Sequence, residues 1–189
     1  MKKTIVAVMV AASAVLSAQA LATNTAEVTV LGEVSDSSTS CVVTPTGTLN
    51  NGVVRLVTVT TSEANAKEAN TLFKAQKFGF EVKDCAKGSA NPENVNGLTV
   101  SVTGTTSSNN NILDNIAEDG AKGIGIGIEK ASDASRVVFD GSSMPESYTK
   151  DEVTKLAYNA GYVKVSKDAT VTEGPVKGVA TFTIDYTTN

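Results

Sequence analysis

The chain has 189 residues, of which 41% are hydrophobic, with a formal net charge of −4 and no histidine. The acidic balance argues against nucleic acid or an anionic membrane surface as a partner. Because the commonest acid–base group near neutral pH and the G-x-S-x-G nucleophile elbow are both missing, we expect neither an enzyme nor a cofactor.

The chain begins with the three parts of a secretory signal peptide. Lys2 and Lys3 give a positive start, residues 4–16 are apolar and uncharged, and small residues follow up to Ala20. We expect cleavage after Ala20, with Ala22 as the alternative. The apolar run is shorter than the roughly 20 residues that span a bilayer, so we expect no membrane insertion. Loss of the two lysines changes the net charge from −4 to −6.

Residues 26–32 alternate side chains at the strand period of two. This segment lies almost at the start of the mature chain, where a tail is loose unless something holds it. No adjacent segment offers an obvious partner strand, and an unpaired strand invites one from another molecule. The simpler alternative is an ordinary edge strand of a closed domain.

Cys41 and Cys85 are the only cysteines, and in an exported chain they are expected to form one disulfide. Such a bond would stabilise the fold by about 2–4 kcal/mol. A metal site is not expected, because zinc needs about four ligands and the chain has no histidine to add to the two cysteines. The C-x-x-C spacing of a thiol-redox motif is also absent.

Short apolar segments separated by turn residues fill the rest of the chain, as expected of a single antiparallel β-sandwich domain. Residues 123–128 alternate glycine with isoleucine but lack the G-x-G-x-x-G spacing of a phosphate loop, so we predict a strand with its isoleucines in the core. Residues 62–70 are polar and alanine-rich and predict a short exposed helix or loop. Further predicted strands are 41–44, 53–60, 78–85, 98–103, 137–139, 155–165 and 179–186.

Three segments resemble the major structural pilins of chaperone–usher fimbriae of the type 1 kind. Residues 26–34 look like the family's G-x-V-x-F-x-G-x-V signature, and residues 78–85 look like its F-x-I-x-L-x-x-C strand. The family also places a glycine twelve residues before a near-terminal tyrosine, and Gly174 and Tyr186 have that spacing. The family's tyrosine is usually penultimate, whereas here residues 187–189 follow it, and we expect them to be a frayed overhang.

The resemblance implies an all-β, incomplete immunoglobulin-like sandwich that lacks its last strand and is completed by a donor strand from a partner. The implied division is a signal peptide over 1–20, a donor-strand extension over 21–31 and a pilin domain over 32–189. The implied inserting face of the donor strand comprises Asn24, Ala26, Val28, Val30 and Gly32. The implied C-terminal strand at the groove and the chaperone uses Gly174, Ala180, Phe182, Ile184 and Tyr186.

The function implied by the resemblance is that of a structural subunit that polymerises by donor-strand exchange. A periplasmic chaperone would lend a strand, and at an outer-membrane usher the tail of an identical or related subunit would replace it, which is a form of β-augmentation. The fibre would lie on the surface of a Gram-negative bacterium. The alternative is an adhesive subunit whose own surface binds a host glycan or protein receptor, although the chain has no tryptophan to stack on a sugar.

Overall fold

The computed structural model of the chain describes residues 26–32, 41–49, 52–85, 95–107 and 109–188. The predicted signal peptide and Asn24 lie outside these residues. Within them, nine strands and one short helix follow in chain order: β1 Ala26–Gly32, β2 Val42–Thr46, β3 Val53–Leu56, α1 Thr61–Asn65, β4 Leu72–Lys83, β5 Val95–Gly104, β6 Ile124–Lys130, β7 Asp140–Glu146, β8 Thr154–Lys164 and β9 Val176–Thr188.

The strands form two sheets. The larger sheet has the order β3-β1-β9-β5-β7, and the smaller has the order β2-β4-β8-β6. Between the strands named here, every pairing is antiparallel except that of β1 with β9, which is parallel. The prediction of an all-β fold is therefore confirmed.

The core lies between the two sheets, where inward-facing side chains of alternate residues meet. Its centre is an aromatic cluster in which the ring centroid of Phe182 from β9 lies 5.1 Å from those of Phe80 and Tyr158. Phe78 packs edge-on against Phe182 at 5.9 Å. These rings come from β4, β8 and β9, so they join the middle of one sheet to the middle of the other. Aromatic pairs of this kind add to the stabilisation from burial alone.

Two predicted segments in the middle of the chain have the expected structure. The alternating isoleucines of residues 123–128 lie in β6, and Ile124, Ile126 and Ile128 are all buried. The polar segment before β4 contains α1, whose first turn is capped because the Thr60 hydroxyl accepts a hydrogen bond from the Glu63 backbone N–H at 3.1 Å.

The prediction of a strand at 137–139 is wrong. Val137 and Phe139 are buried, at 0% and 3% exposure, but they fill the core from an irregular segment that precedes β7. β7 itself lacks an apolar alternation because it is an edge strand with few buried residues, a position that also tolerates Pro145. The apolar pattern of residues 137–139 therefore predicted correctly that they are buried, but not that they form a strand.

The prediction of a frayed overhang after Tyr186 is also wrong for the described residues. β9 continues through Thr187 and Thr188, which pair with Gly97 and Val95 at the start of β5. The Thr187 hydroxyl lies 2.8 Å from the side-chain oxygen of Asn96. Because β5 begins early enough to face them, these residues have ladder partners that the local sequence does not reveal.

One asparagine fixes the segment that enters β9. The side-chain amide of Asn115 donates to the carbonyls of Ala121 and Pro175 at 2.8 and 2.9 Å, and its oxygen accepts from the backbone N–H groups of Ala117 and Lys177 at 3.1 and 2.8 Å. All four hydrogen-bonding positions of the side chain, two donors and two acceptors, are thus used. This side chain holds the loop before β6 against the start of β9.

We expect Asn115→Ala to lower the free energy of unfolding by about 1–3 kcal/mol, because several backbone groups would lose their partner. Urea unfolding of the mature subunit would measure the change. Asn159→Ala, at a half-buried position in the middle of β8, serves as the control and should cost less. Equal losses for the two variants would contradict the role given to Asn115.

Candidate functional site

The most informative feature of the structure is a strand position between β3 and β9. These two strands are not neighbours in the sheet, and β1 lies between them. β1 pairs with β3 from Ala26 opposite Leu56 onward, and with β9 from Ala26 opposite Val176 to Gly32 opposite Phe182. Without β1, the larger sheet would have a gap of one strand, which we call the β3–β9 gap.

The sequence offered no adjacent partner strand for β1, and its partners are indeed not adjacent in sequence. The segment finds two partners that are distant in sequence, β3 and β9, and fills the gap between them. The reason is topological, since no pattern within residues 26–32 shows that a place for one strand is left open elsewhere in the domain.

The walls of the β3–β9 gap are apolar. Val54 and Leu56 of β3 are 2% and 3% exposed, and Ala180 and Phe182 of β9 are 0% and 3% exposed. The two residues of each pair are two positions apart in the sequence, so their side chains lie on the same inner face. If the strand left this position, the core beneath it would be exposed to water. The folded domain would then lose about 25 cal/mol of stabilising free energy for each Å² of apolar surface exposed.

The predicted donor and C-terminal residues come together at this gap. In β1, the register places Ala26, Val28, Val30 and Gly32 opposite Val176, Gly178, Ala180 and Phe182 of β9. Beyond the end of β1, Ile184 and Tyr186 are half-buried and pack against the core. Lys177, Thr183 and Asp185 are exposed between them, as the period of two requires.

Gly174 lies just before β9 in a backbone conformation with a φ of 146°, which favours glycine. A Cβ added there would lie 2.5 Å from the Ala121 backbone nitrogen and 2.8 Å from the Asp119 carbonyl oxygen. Both contacts are with backbone, which has little freedom to move away. The glycine therefore lets the chain pass close to the 119–121 loop as it enters β9.

The predicted disulfide between Cys41 and Cys85 is confirmed. It joins the residue before β2 to the segment after β4, and the backbone N–H of Cys85 also donates to the Tyr148 hydroxyl at 3.3 Å. We call this part of the molecule the disulfide end and the opposite part, around Gly174, the glycine end. The bond fixes the point at which the chain enters the sandwich after β1.

The described residues contain no cluster of three or more side chains suited to a metal ion. Burial raises the pKa of Tyr162 to about 12, so this phenol stays neutral at physiological pH. Within the described part of the chain, no helix has the length and apolar character needed to cross a membrane.

Sequence reasoning missed two contributors to the site. Val54 and Leu56 lie in a segment that was predicted as a strand, yet nothing local marked that strand as a wall of the gap. Asn115 lies in a polar loop where its four backbone contacts leave no sequence signal. Both depend on contacts between residues far apart in the chain, for which periodicity carries no information.

Comparison with known proteins finds fimbrial proteins both by sequence and by structure. A family model described as "Fimbrial protein" matches residues 25–187. The P pilus rod subunit PapA is similar, with 24% identity, a TM-score of 0.60 and coverage of 78% of this chain and 99% of that chain. A chain from a chaperone–usher pilus structure is 23% identical, with a TM-score of 0.56 and coverage of 82% and 91%. At these identities the likeness shows the fold, the immunoglobulin-like sandwich of pilins.

One other similar structure is only partly covered. The CupB6 tip adhesin from Pseudomonas aeruginosa is 21% identical with a TM-score of 0.49, and the match covers 62% of this chain and 32% of that chain. The chain thus spans about a third of that adhesin. No curated protein matches the sequence.

We expect Gly174→Ala to destabilise the domain by about 1–3 kcal/mol or more, because strain in the backbone is added to the contacts with the 119–121 loop. Gly141→Ala is a matched control, since Gly141 also has a positive φ, of 82°, but an added Cβ would meet only a methyl group of Thr103 at 3.4 Å. Comparing the melting temperatures of the two variants would separate the effect of backbone strain from that of the steric clash with the 119–121 loop. A smaller loss for Gly174→Ala than for Gly141→Ala would contradict the role of close approach.

Proposed function

The chain belongs to the fimbrial protein family, and we propose that it polymerises into a fimbria by donor-strand exchange, in which the N-terminal segment of one subunit fills the β3–β9 gap of the next. Members of this family are structural proteins exported to the cell surface, and they are not enzymes. The observation that carries the proposal is that the strand between β3 and β9 comes from the terminal segment of the chain.

The connection of β1 to the rest of the domain permits such an exchange. β1 ends at Gly32, and β2 starts at Val42 after Cys41. The intervening residues 33–40 make nine Cα steps from Gly32 to Cys41, a reach of about 30 Å when extended. β1 is the first strand of the chain, so β2 to β9 stay connected to one another in the same way when β1 leaves the gap.

The topology fixes the direction in which the segment fills the gap of its own subunit. β9 runs from the glycine end, where Val176 and Tyr162 line the same small cavity, towards the disulfide end. The chain re-enters the sandwich at Cys41, which is at the disulfide end. A segment tethered there reaches its own gap with its last residue nearest the disulfide end. It therefore runs parallel to β9, as β1 does.

In a fibre the same segment would run the other way. If all subunits have the same orientation, the segment leaves one subunit at its disulfide end and enters the next at its glycine end. Gly32 would then lie towards Val176 and Ala26 towards the far end of β9, so the donor would be antiparallel to β9. Antiparallel pairing is slightly more stable per residue than parallel pairing. This difference supports exchange as the favoured end state.

A chaperone and an usher complete the proposal. Before exchange, an empty gap would expose apolar walls and two unpaired strand edges, a combination prone to aggregation. A periplasmic chaperone that lends a strand to the gap would protect them, and the usher would bring the next subunit to the same gap. The apolar walls of the gap support the chaperone part of this proposal, because they suit one extended strand with alternating apolar side chains. The usher follows from membership of the family.

The parallel form can be locked by a disulfide between Glu27→Cys and Lys177→Cys, since these residues are direct partners across β1 and β9. We expect the oxidised double variant to be monomeric and unable to form fibres, because its own segment occupies its gap. Mild reduction should restore fibre growth, measured by electron microscopy and light scattering. The native disulfide is buried, with 6% and 5% exposure of its cysteines, and should be reduced later.

The two single-cysteine variants serve as controls and should polymerise like the parent. Fibres that grow at the parent rate from the oxidised double variant would contradict donor-strand exchange at this gap.

A subunit lacking residues 23–31 should still accept a donor but have none to give. We expect it to fold with its chaperone and to stop fibre growth when mixed with the full-length subunit, because each addition leaves a chain end without a donor segment. Fibre length measured by electron microscopy should fall as its proportion rises. Unchanged lengths at equal amounts of both subunits would argue against the proposal.

A further inference from the structure

The start of β5 contains a β-bulge opposite the end of β9. The residues before and after Asn96 lie opposite Thr188 and Thr187, which are consecutive in the chain, so Asn96 is the extra residue of the bulge. β5 pairs with β7 only from Leu98 onward. Among the described strands, the bulge therefore has a ladder partner on the β9 side alone. Backbone with so few contacts opens more readily than the middle of a sheet.

The residue that follows Asn96 is Gly97, and this dipeptide is chemically reactive. The backbone nitrogen of the residue after an asparagine can attack the carbon of the side-chain amide, because the attack is intramolecular and closes a five-membered ring. Glycine has no side chain to obstruct the approach. Asn96 is exposed, so water and hydroxide reach it.

The Thr187 hydroxyl is placed to assist this attack. It donates a hydrogen bond to the side-chain oxygen of Asn96 at 2.8 Å. The hydroxyl oxygen also lies 3.1 Å from the position that a Cβ on Gly97 would occupy, so all three groups are close together. When the amide carbon is attacked, its oxygen becomes negatively charged, and a donor already in position stabilises that charge. The fold thus adds a contact from β9 that the local sequence around Asn96 lacks.

We propose that Asn96 is a site of spontaneous covalent modification and that Thr187 promotes the reaction. The Gly97 nitrogen loses its proton to hydroxide and bonds to the side-chain carbon of Asn96. The bond from that carbon to the amide nitrogen breaks, ammonia leaves, and a cyclic imide remains. Water then adds to one of the two imide carbonyls and opens the ring to aspartate or isoaspartate. Either product replaces a neutral amide with a carboxylate.

The two products affect the end of β9 differently. Aspartate keeps the length of the main chain, and its carboxylate still accepts a hydrogen bond from the Thr187 hydroxyl. Isoaspartate adds one methylene to the main chain of β5 and so disturbs the register between Val95 and Thr188. The inference does not depend on donor-strand exchange, since β5 and β9 pair directly with each other.

The test is incubation of the mature subunit in mildly alkaline buffer, which deprotonates more of the attacking nitrogen, followed by peptide mapping with mass spectrometry. We expect aspartate and isoaspartate to accumulate at position 96. Thr187→Val removes the hydroxyl but keeps the shape of the side chain, and it should slow the conversion about three- to tenfold, as for the loss of one hydrogen bond. Thr187→Ser keeps the hydroxyl and should convert like the parent.

Asn51 also precedes a glycine and is an internal control in the same digest. Its conversion rate should be equal in the parent and both variants. The proposal is overturned if Asn96 stays unmodified in the folded subunit over an incubation that converts it in the urea-unfolded chain. It is also overturned if Thr187→Val converts as fast as the parent or faster, or if Thr187→Ser is slowed as much as Thr187→Val.

The structural consequence has its own measurement. Hydrogen exchange at the backbone amides of Thr187 and Thr188 should be faster in the chromatographically separated isoaspartate form than in the Asn96→Asp variant. That variant carries the same charge without the additional methylene. Equal exchange in the two proteins would contradict the change of register.

Discussion

The fold depends on β9 having a hydrogen-bonded neighbour on each side. β5 pairs with it from Gly104 opposite Ala180 to Val95 opposite Thr188, and β1 pairs with its other edge. Backbone groups of a buried strand need such partners, and the apolar side chains beneath need cover from water. β5 is an internal part of the domain, whereas β1 is its terminal segment. Completion of the larger sheet therefore rests on a strand from the N-terminal segment of the chain.

Under the proposed exchange, two ways of filling the gap compete. The chain's own segment is tethered and has an effective concentration on the order of millimolar, as for short flexible linkers. A neighbour's segment lacks that advantage and must gain from better pairing, which antiparallel strands supply. In the assembly proposed above, self-filling is therefore the faster outcome for an isolated subunit, and exchange is the more stable outcome for subunits in line. A strand lent by a chaperone would keep the gap from its own segment until a neighbour is in position.

Periodicity identified the strands whose burial alternates or is nearly complete, including the one that contains Phe78 and Phe80 and the one that contains Ala180 and Phe182. The spacing of Gly174 from Tyr186 likewise marked the extent of β9 to within a few residues. Periodicity did not identify β7, which is an edge strand with little apolar patterning. It also did not identify the partners of β1 and Thr187. Those partners are set by the order of strands in the sheet, which is a property of the whole chain.

The two sides of the sandwich solve the problem of exposed edges in opposite ways. At the β3–β9 gap, the edges are apolar and are covered by a strand, which makes the position suitable for assembly. On the β6–β7 side, the Lys130–Glu146 pair places charges between the edge strands, and charges at an edge discourage pairing with another chain. The two side chains of this pair are only 19% and 25% exposed, so each charge is partly withdrawn from water and is stabilised by the other. The pair therefore links the two sheets directly, whereas the opposite side is linked through the strand that fills the gap.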